Sequence, residues 1–332
     1  MKNIFQKIRQ GALRKTRYLW GDFHHLTNDN KAFYQKARGS RIMVYHGICS
    51  EEPLKFNTLF ITKKKFEEHL KVYREYFNPI SLDEYFAGHF SSTKFNVCLT
   101  FDDGFVNNYD YALPLLEQYQ IPATFFITAI RARGKDILWN DFLSIAGRYG
   151  PKQFTFRQEV YYKNKYNKYV LPSGVSLAEK LRSGHFEEKE QLMESMEPLV
   201  PFRSLGQYQE YWLQMNEAQI AELSASPYAT VGAHGYYHND LSRVNPDSAL
   251  KEMVESKKYL EVITNKKIEA IAFPYGAYNE DVLKAATAAG YTQLLGTELN
   301  SVTDATLRER FTINPFISTA NQVRATINNH YE

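Results

Sequence analysis

A chain of 332 residues, 44% hydrophobic and 23% charged, can bury a large core as one elaborated domain or as two modest ones. Its 40 Lys and Arg against 37 Asp and Glu leave a formal charge of +3. That balance excludes global disorder, a collagen-like repeat and an obligate nucleic-acid binder. Cys49 and Cys98, the only two cysteines, cannot build a disulfide framework and read as buried thiols.

Residues 1–45 hold ten Lys or Arg and two Asp or Glu, so this start carries +8 and the remainder −5. Ile4, Ile8, Leu13, Tyr18, Leu19 and Trp20 alternate with basic residues. They predict a basic helix, either lying on an anionic membrane surface or packed on the main domain with a solvated basic face. The start lacks the apolar block of a secretory signal, and no run reaches the ~18 apolar residues of a membrane span. The expectation is therefore a cytoplasmic protein, with room for peripheral contact at the inner face of the membrane.

From residue 41 short β-rich runs alternate with helical ones, the pattern of an α/β protein with a largely parallel sheet or barrel. Strands are expected at Arg41–Tyr45, Asn96–Phe101, Ala123–Thr128, Thr230–Ala233, Ile268–Phe273, Tyr291–Leu295 and Phe311–Phe316. Helices are expected at Lys63–Tyr76, Asn107–Tyr119, Pro246–Thr264 and Asn279–Ala289, where apolar residues recur every three or four positions. The interval 131–227 breaks the rhythm and is too long for a loop, so it reads as a mostly helical insertion with a hairpin in its Tyr-, Lys- and Asn-rich stretch. The chain thus divides into a basic lead-in, 1–40, and one domain, 41–332, interrupted by that insertion.

Four runs carry chemistry. In Leu99-Thr100-Phe101-Asp102-Asp103-Gly104, an apolar strand ends on two adjacent carboxylates and a glycine that permits a turn; a solvated capping turn is the plain alternative. In Gly232-Ala233-His234-Gly235-Tyr236-Tyr237-His238, two imidazoles four apart can share a helical face and reach one cation. Parallel strands gather their ends on one rim, where barrel enzymes assemble their sites. Two imidazoles and one carboxylate suit zinc with an open position, leaving the other aspartate free to act as a base. Phe273-Pro274-Tyr275-Gly276 and Val44-Tyr45-His46-Gly47 also stand at expected strand ends.

Together these runs resemble the polysaccharide deacetylase family, the carbohydrate esterases that share the NodB homology domain, over residues 41–128 and 216–317. The resemblance implies a distorted (β/α)7 barrel. It makes Asp103, His234 and His238 the metal ligands, Asp102 the catalytic base, and the Tyr275 backbone N–H an oxyanion donor. The implied reaction removes N-acetyl groups from N-acetylhexosamine units of a polysaccharide or lipid-linked glycan precursor. The implied cofactor is a divalent metal ion, Zn2+ first, and the implied partner is an N-acetylated glycan.

Two departures from the family pattern matter. The late Leu-x-His that usually supplies the acid is missing, and the sequence is closer to the branch similar to poly-N-acetylglucosamine deacetylases, which assigns that role to His46. Ala272 stands where many members carry the arginine that accompanies the base, leaving Asp102 without an identified partner. Trp139, Asp141 and Pro274 are the expected substrate contacts, and Tyr161, Tyr162, Tyr208, Tyr211 and Trp212 are further candidates to stack on sugars. O-acetyl ester hydrolysis and a catalytically silent glycan-binding module are the competing readings.

Overall fold

The structure is a computed structural model that describes residues 18, 22, 30–204, 206–297 and 304–331. Of the amphipathic run Ile4–Trp20 only Tyr18 is among the described residues, and its carbonyl accepts a hydrogen bond from Asn321 at 3.0 Å.

Strands β1 (Ser40–Tyr45), β2 (Asn78–Pro79), β3 (Asn96–Phe101), β4 (Ala123–Ile127), β5 (Ala229–Ala233), β6 (Ala270–Ala272), β7 (Gln293–Gly296), β8 (Leu307–Glu309) and β9 (Phe311–Thr312) form one nine-stranded parallel sheet. All six residues of β3 are buried, as a parallel strand covered on both faces requires. The order is β8-β7-β6-β5-β4-β3-β1-β9, with β2 beside β3.

The two ends of that order, β8 and β9, are separated in the chain by Arg310 alone. The sheet therefore curls into a nearly closed barrel with Arg310 at its seam. The Arg310 N–H donates to Gly296 O on one side at 3.1 Å, and the Ile313 N–H donates to Val44 O on the other at 3.0 Å.

All seven expected strands are present, Asn96–Phe101 with its expected bounds and the others with shifted ends. The expected Phe311–Phe316 keeps only its first two residues; by Asn314 the backbone N–H donates to the Gln322 side chain at 2.9 Å and no longer to a strand. Helix α1 (Lys63–Tyr76) starts at Thr62, whose hydroxyl accepts the Lys65 N–H at 3.2 Å. The expected Asn107–Tyr119 helix opens as a π-turn, Asn108–Ala112, and becomes α-helical at Leu113, where Pro114 occupies the first turn.

Between β4 and β5 the chain builds helices α2 (Trp139–Tyr149), α3 (Leu177–Arg182) and α4 (Phe186–Met196). It also builds a three-stranded antiparallel sheet from Gln153–Phe156, Glu159–Lys163 and Tyr169–Val170. The sheet contains the expected hairpin and adds one short strand, Tyr169–Val170, to it. Trp139, Phe142, Ile145, Tyr161, Leu192 and Met196 belong to a buried core separate from that of the barrel. The segment returns to the barrel rim at Gln214, which forms an antiparallel bridge with Phe105 just beyond the acid pair.

Candidate active site

The end of β3 presents the two carboxylates in different directions. Asp103 and Gly104 both take left-handed backbone conformations, φ 76° and 85°. A Cβ at Gly104 would lie 2.9 Å from the Ile127 side chain, so glycine serves there both the angle and the close approach. The turn thus begins one residue earlier than the sequence suggests. Asp102 meets Arg310, and Asp103 meets the histidines.

His234 and His238 follow β5 on a loop and not on one face of a helix, as their spacing had suggested. His238 reaches the same place through a left-handed backbone angle, φ 55°. Their Nε2 atoms lie 3.4 and 3.2 Å from one oxygen, Asp103 Oδ1. All three donor atoms fall within 4.8 Å of one another, and all three residues are buried. The His234 Nδ1 lies 2.8 Å from the Ala272 carbonyl oxygen. A carbonyl only accepts, so Nδ1 carries the proton and the neutral ring offers its Nε2 lone pair to the centre of the group. These three residues could hold a metal ion.

Asp102 has a partner that no local motif announces. Arg310 donates to its two carboxylate oxygens at 2.7 and 2.8 Å, a two-pronged ion pair inside the barrel. Burial pushes the Asp102 carboxyl up, but the Arg310 guanidinium, aided by His234 and His46, outweighs it and holds the group below its ordinary value. For Asp103, burial again opposes ionisation, and the adjacent His234 and His238 rings hold the carboxyl well below its usual range. Burial lowers His234, yet the Asp102 and Asp103 charges raise it overall. At His238 burial prevails and the net shift is downward.

The remaining expected residues divide. His46 is half-buried at the end of β1, its carbonyl held by Asn108 Nδ2 at 2.8 Å and its buried Nδ1 without a hydrogen-bond partner. Tyr275 sits in the one-turn 3₁₀ helix Pro274–Gly276 with φ 61°; first-turn N–H groups there have no intrahelical acceptor. Its ring packs edge-on against His238 at 4.8 Å and lies under the Arg182 guanidinium at 4.3 Å. Pro274 is buried beneath it. Non-glycine residues in the left-handed region cost about 1–3 kcal/mol each and cluster at functional sites; Asp103, His238 and Tyr275 are three such residues in one place.

Asp141 is buried beside this group. Burial and the nearby Asp103 charge push its carboxyl well above the usual range. One of its oxygens accepts from Asn57 at 3.4 Å, and the other is buried without a partner. Trp139, 3% exposed, donates its indole N–H to the His238 carbonyl at 3.3 Å, so it supports the histidine loop from within the insertion. Tyr161, Tyr211 and Trp212 are likewise buried, whereas Tyr162 is open to solvent.

Sequence reasoning missed a second support. Lys189 on α4 is fully buried and donates to Asn239 Oδ1 and to the Gly184 carbonyl. Asn239, next to His238, donates to Glu252 at 2.5 Å on α5 (Pro246–Thr264). Arg182 on α3 pairs with Asp240 at 2.8 Å. The insertion thus grips both residues that follow His238. The Asn239-Asp240 pair directly after the second histidine was the available signal.

A nearly closed parallel barrel with these groups at its strand ends is the architecture of the NodB-type carbohydrate esterases, a class of hydrolases. The model of the family described as polysaccharide deacetylase matches residues 91–148 and 205–294. The "Putative polysaccharide deacetylase YxkH" of Bacillus subtilis (strain 168) is 23% identical over 277 residues, 82% of this chain and 70% of that protein. The Streptococcus pyogenes deacetylase PplD, solved in complex with acetate, superposes with a TM-score of 0.56 at 19% identity, covering 86% of this chain and 97% of that one. IcaB from Ammonifex degensii gives 0.53 at 18% identity, covering 88% and 98%. The chain belongs to the polysaccharide deacetylase family.

Proposed function

We propose that the protein is a metal-dependent deacetylase that removes N-acetyl groups from N-acetylhexosamine units of a polysaccharide or lipid-linked glycan precursor and releases acetate. The observation that carries this reading is the division of labour in the acid pair. Asp103 Oδ1 faces two imidazole nitrogens and has no hydrogen-bond partner, while Asp102 is held apart by Arg310. A glycan-binding module has no need of the second carboxylate.

The donor set fits a divalent cation, with zinc the first choice: two imidazole nitrogens and one carboxylate oxygen on three buried residues, the carboxylate oxygen without a hydrogen-bond partner. Such an ion, when bound by Asp103, His234 and His238, supplies Lewis acidity and makes water more acidic. Asp102, kept ionised by Arg310, takes a proton from the attacking water. The Tyr275 N–H donates to the oxygen on which negative charge develops. His46 delivers a proton to the departing nitrogen, without which an amine is a poor leaving group.

Support for an N-acetyl substrate comes also from the Aggregatibacter actinomycetemcomitans de-N-acetylase, which shares the fold with a TM-score of 0.51. Work at the inner face of the membrane accords with the basic start of the chain. Acetate release from N-acetylglucosamine oligomers tests the reading. Release is expected with added zinc and is lost with chelator; no release with any divalent metal sinks it.

A further inference from the structure

A groove of about 490 Å³ runs beside the candidate active site, between the 54–58 loop of the barrel and helix α2 and the 166–169 turn of the insertion. Its volume lies within the ~300–1,000 Å³ range of small-ligand sites. Asp141, next in the chain to the lining residue Asn140, is close enough to Asp103 for that charge to act on its carboxyl. Phe56, Thr58 and Asn140 line the groove, and their chain neighbours Asn57 and Asp141 are hydrogen-bonded to each other.

The lining has a one-sided charge. Lys55, Arg148 and Lys168 border the groove, and no Asp or Glu does so among the described residues. Lys55 is paired with Glu52 at 2.7 Å, but neither Arg148 nor Lys168 has a carboxylate in ion-pair range among the described residues. Arg148 spends one N–H on the Lys55 carbonyl at 2.9 Å and lies over the Phe56 ring, leaving further donors of its planar fork free. Tyr166, 68% exposed, adds an aromatic face at the rim.

The rim is built rather than incidental. Asn164 Oδ1 accepts the N–H groups of Tyr166 and Lys168 at 2.9 and 3.1 Å, fixing the turn. That turn seats on α2 at Gly147, where a Cβ would stand 2.1 Å from the Asn167 carbonyl oxygen. Cationic side chains on a preformed turn, next to an exposed aromatic ring, suit a sugar that carries an oxyanion.

We infer that this groove binds an acidic group, carboxylate or phosphate, on a sugar neighbouring the N-acetylhexosamine to be deacetylated, so that the substrate is an anionic glycan. This rests on the deacetylase reading for its reaction, though not for its binding.

The test compares three hexasaccharides: neutral N-acetylglucosamine, the same with a 6-phosphate, and an alternating N-acetylglucosamine–glucuronic acid chain. The expected kcat/KM is about tenfold higher for at least one acidic chain, the scale of a charge-assisted contact, and which one identifies the anion. The ratio should fall to within about twofold in Lys168→Glu, an exposed and fold-neutral site, and in Arg148→Ala/Lys168→Ala. Equal rates on all three, or a preference untouched by both variants, overturns the inference. If no acetate is released from any of them, the deacetylase reading fails separately. Calorimetric titration of the same sugars then decides the groove: tighter acidic binding that Lys168→Glu abolishes supports it, and equal binding overturns it.

Discussion

Arg310, at the barrel seam, grips both oxygens of Asp102 at 2.7 and 2.8 Å, from 208 residues further along the chain. The place where the family pattern often puts an arginine is Ala272, whose carbonyl instead lies 2.8 Å from the His234 Nδ1. The orienting charge has moved from the end of β6 to the junction of β8 and β9.

Arg310→Met should destabilise the protein by about 3–5 kcal/mol near neutral pH, because it strands a buried carboxylate. The Asp102 carboxyl is held below its ordinary 3.8 in the fold, so this contribution is complete above that value. It disappears as pH falls through the lower, folded value. Denaturant unfolding of chelated wild type and variant should therefore give stabilities that differ at pH 7 and converge in acid. A constant gap would separate Arg310 from Asp102 energetically. Arg310→Lys should keep part of the turnover, since it retains charge without the fork.

His46→Ala should slow amide hydrolysis by about 10²–10⁴-fold. Cleavage of an activated acetyl ester, whose leaving group needs no proton, should be far less affected. Parallel kcat losses on the two substrates would remove His46 from the acid role.

The insertion's grip on the histidine loop predicts a metal phenotype remote from the metal. Lys189→Met leaves Asn239 Oδ1 and the Gly184 carbonyl without their donor, at about 1–3 kcal/mol for each buried group. Zinc affinity, read by competition with a chromophoric chelator, should fall by about 10–100-fold, the usual scale for outer supports of metal ligands. Unchanged affinity would make the insertion a bystander to the site.

What the sequence disclosed depended on how local each signal was. The buried run Asn96–Phe101 and the acids that follow it are contiguous, so both strand and carboxylates were legible, as was the histidine pair after β5. Arg310 was not. It stands between two strands of three and two residues, too short for periodicity to register, and its meaning depends on the sheet closing there. Trp139 was read as a sugar platform because an aromatic residue carries no sign in sequence of which face will be covered. Burial in the insertion core and a hydrogen bond to His238 O make it a support. The hairpin in the Tyr-, Lys- and Asn-rich stretch of the insertion was legible, whereas its third strand, Tyr169–Val170, is too short for any pattern to register.

The most direct measurement is metal stoichiometry and acetate release on the same preparations of wild type, Asp102→Asn and His234→Ala. The account predicts about one zinc per chain with turnover for wild type, near-full zinc with turnover reduced by at least ~10²-fold for Asp102→Asn, and loss of both for His234→Ala. Zinc lost from Asp102→Asn, or retained at full affinity by His234→Ala, would contradict the separation of base from ligand on which the account stands.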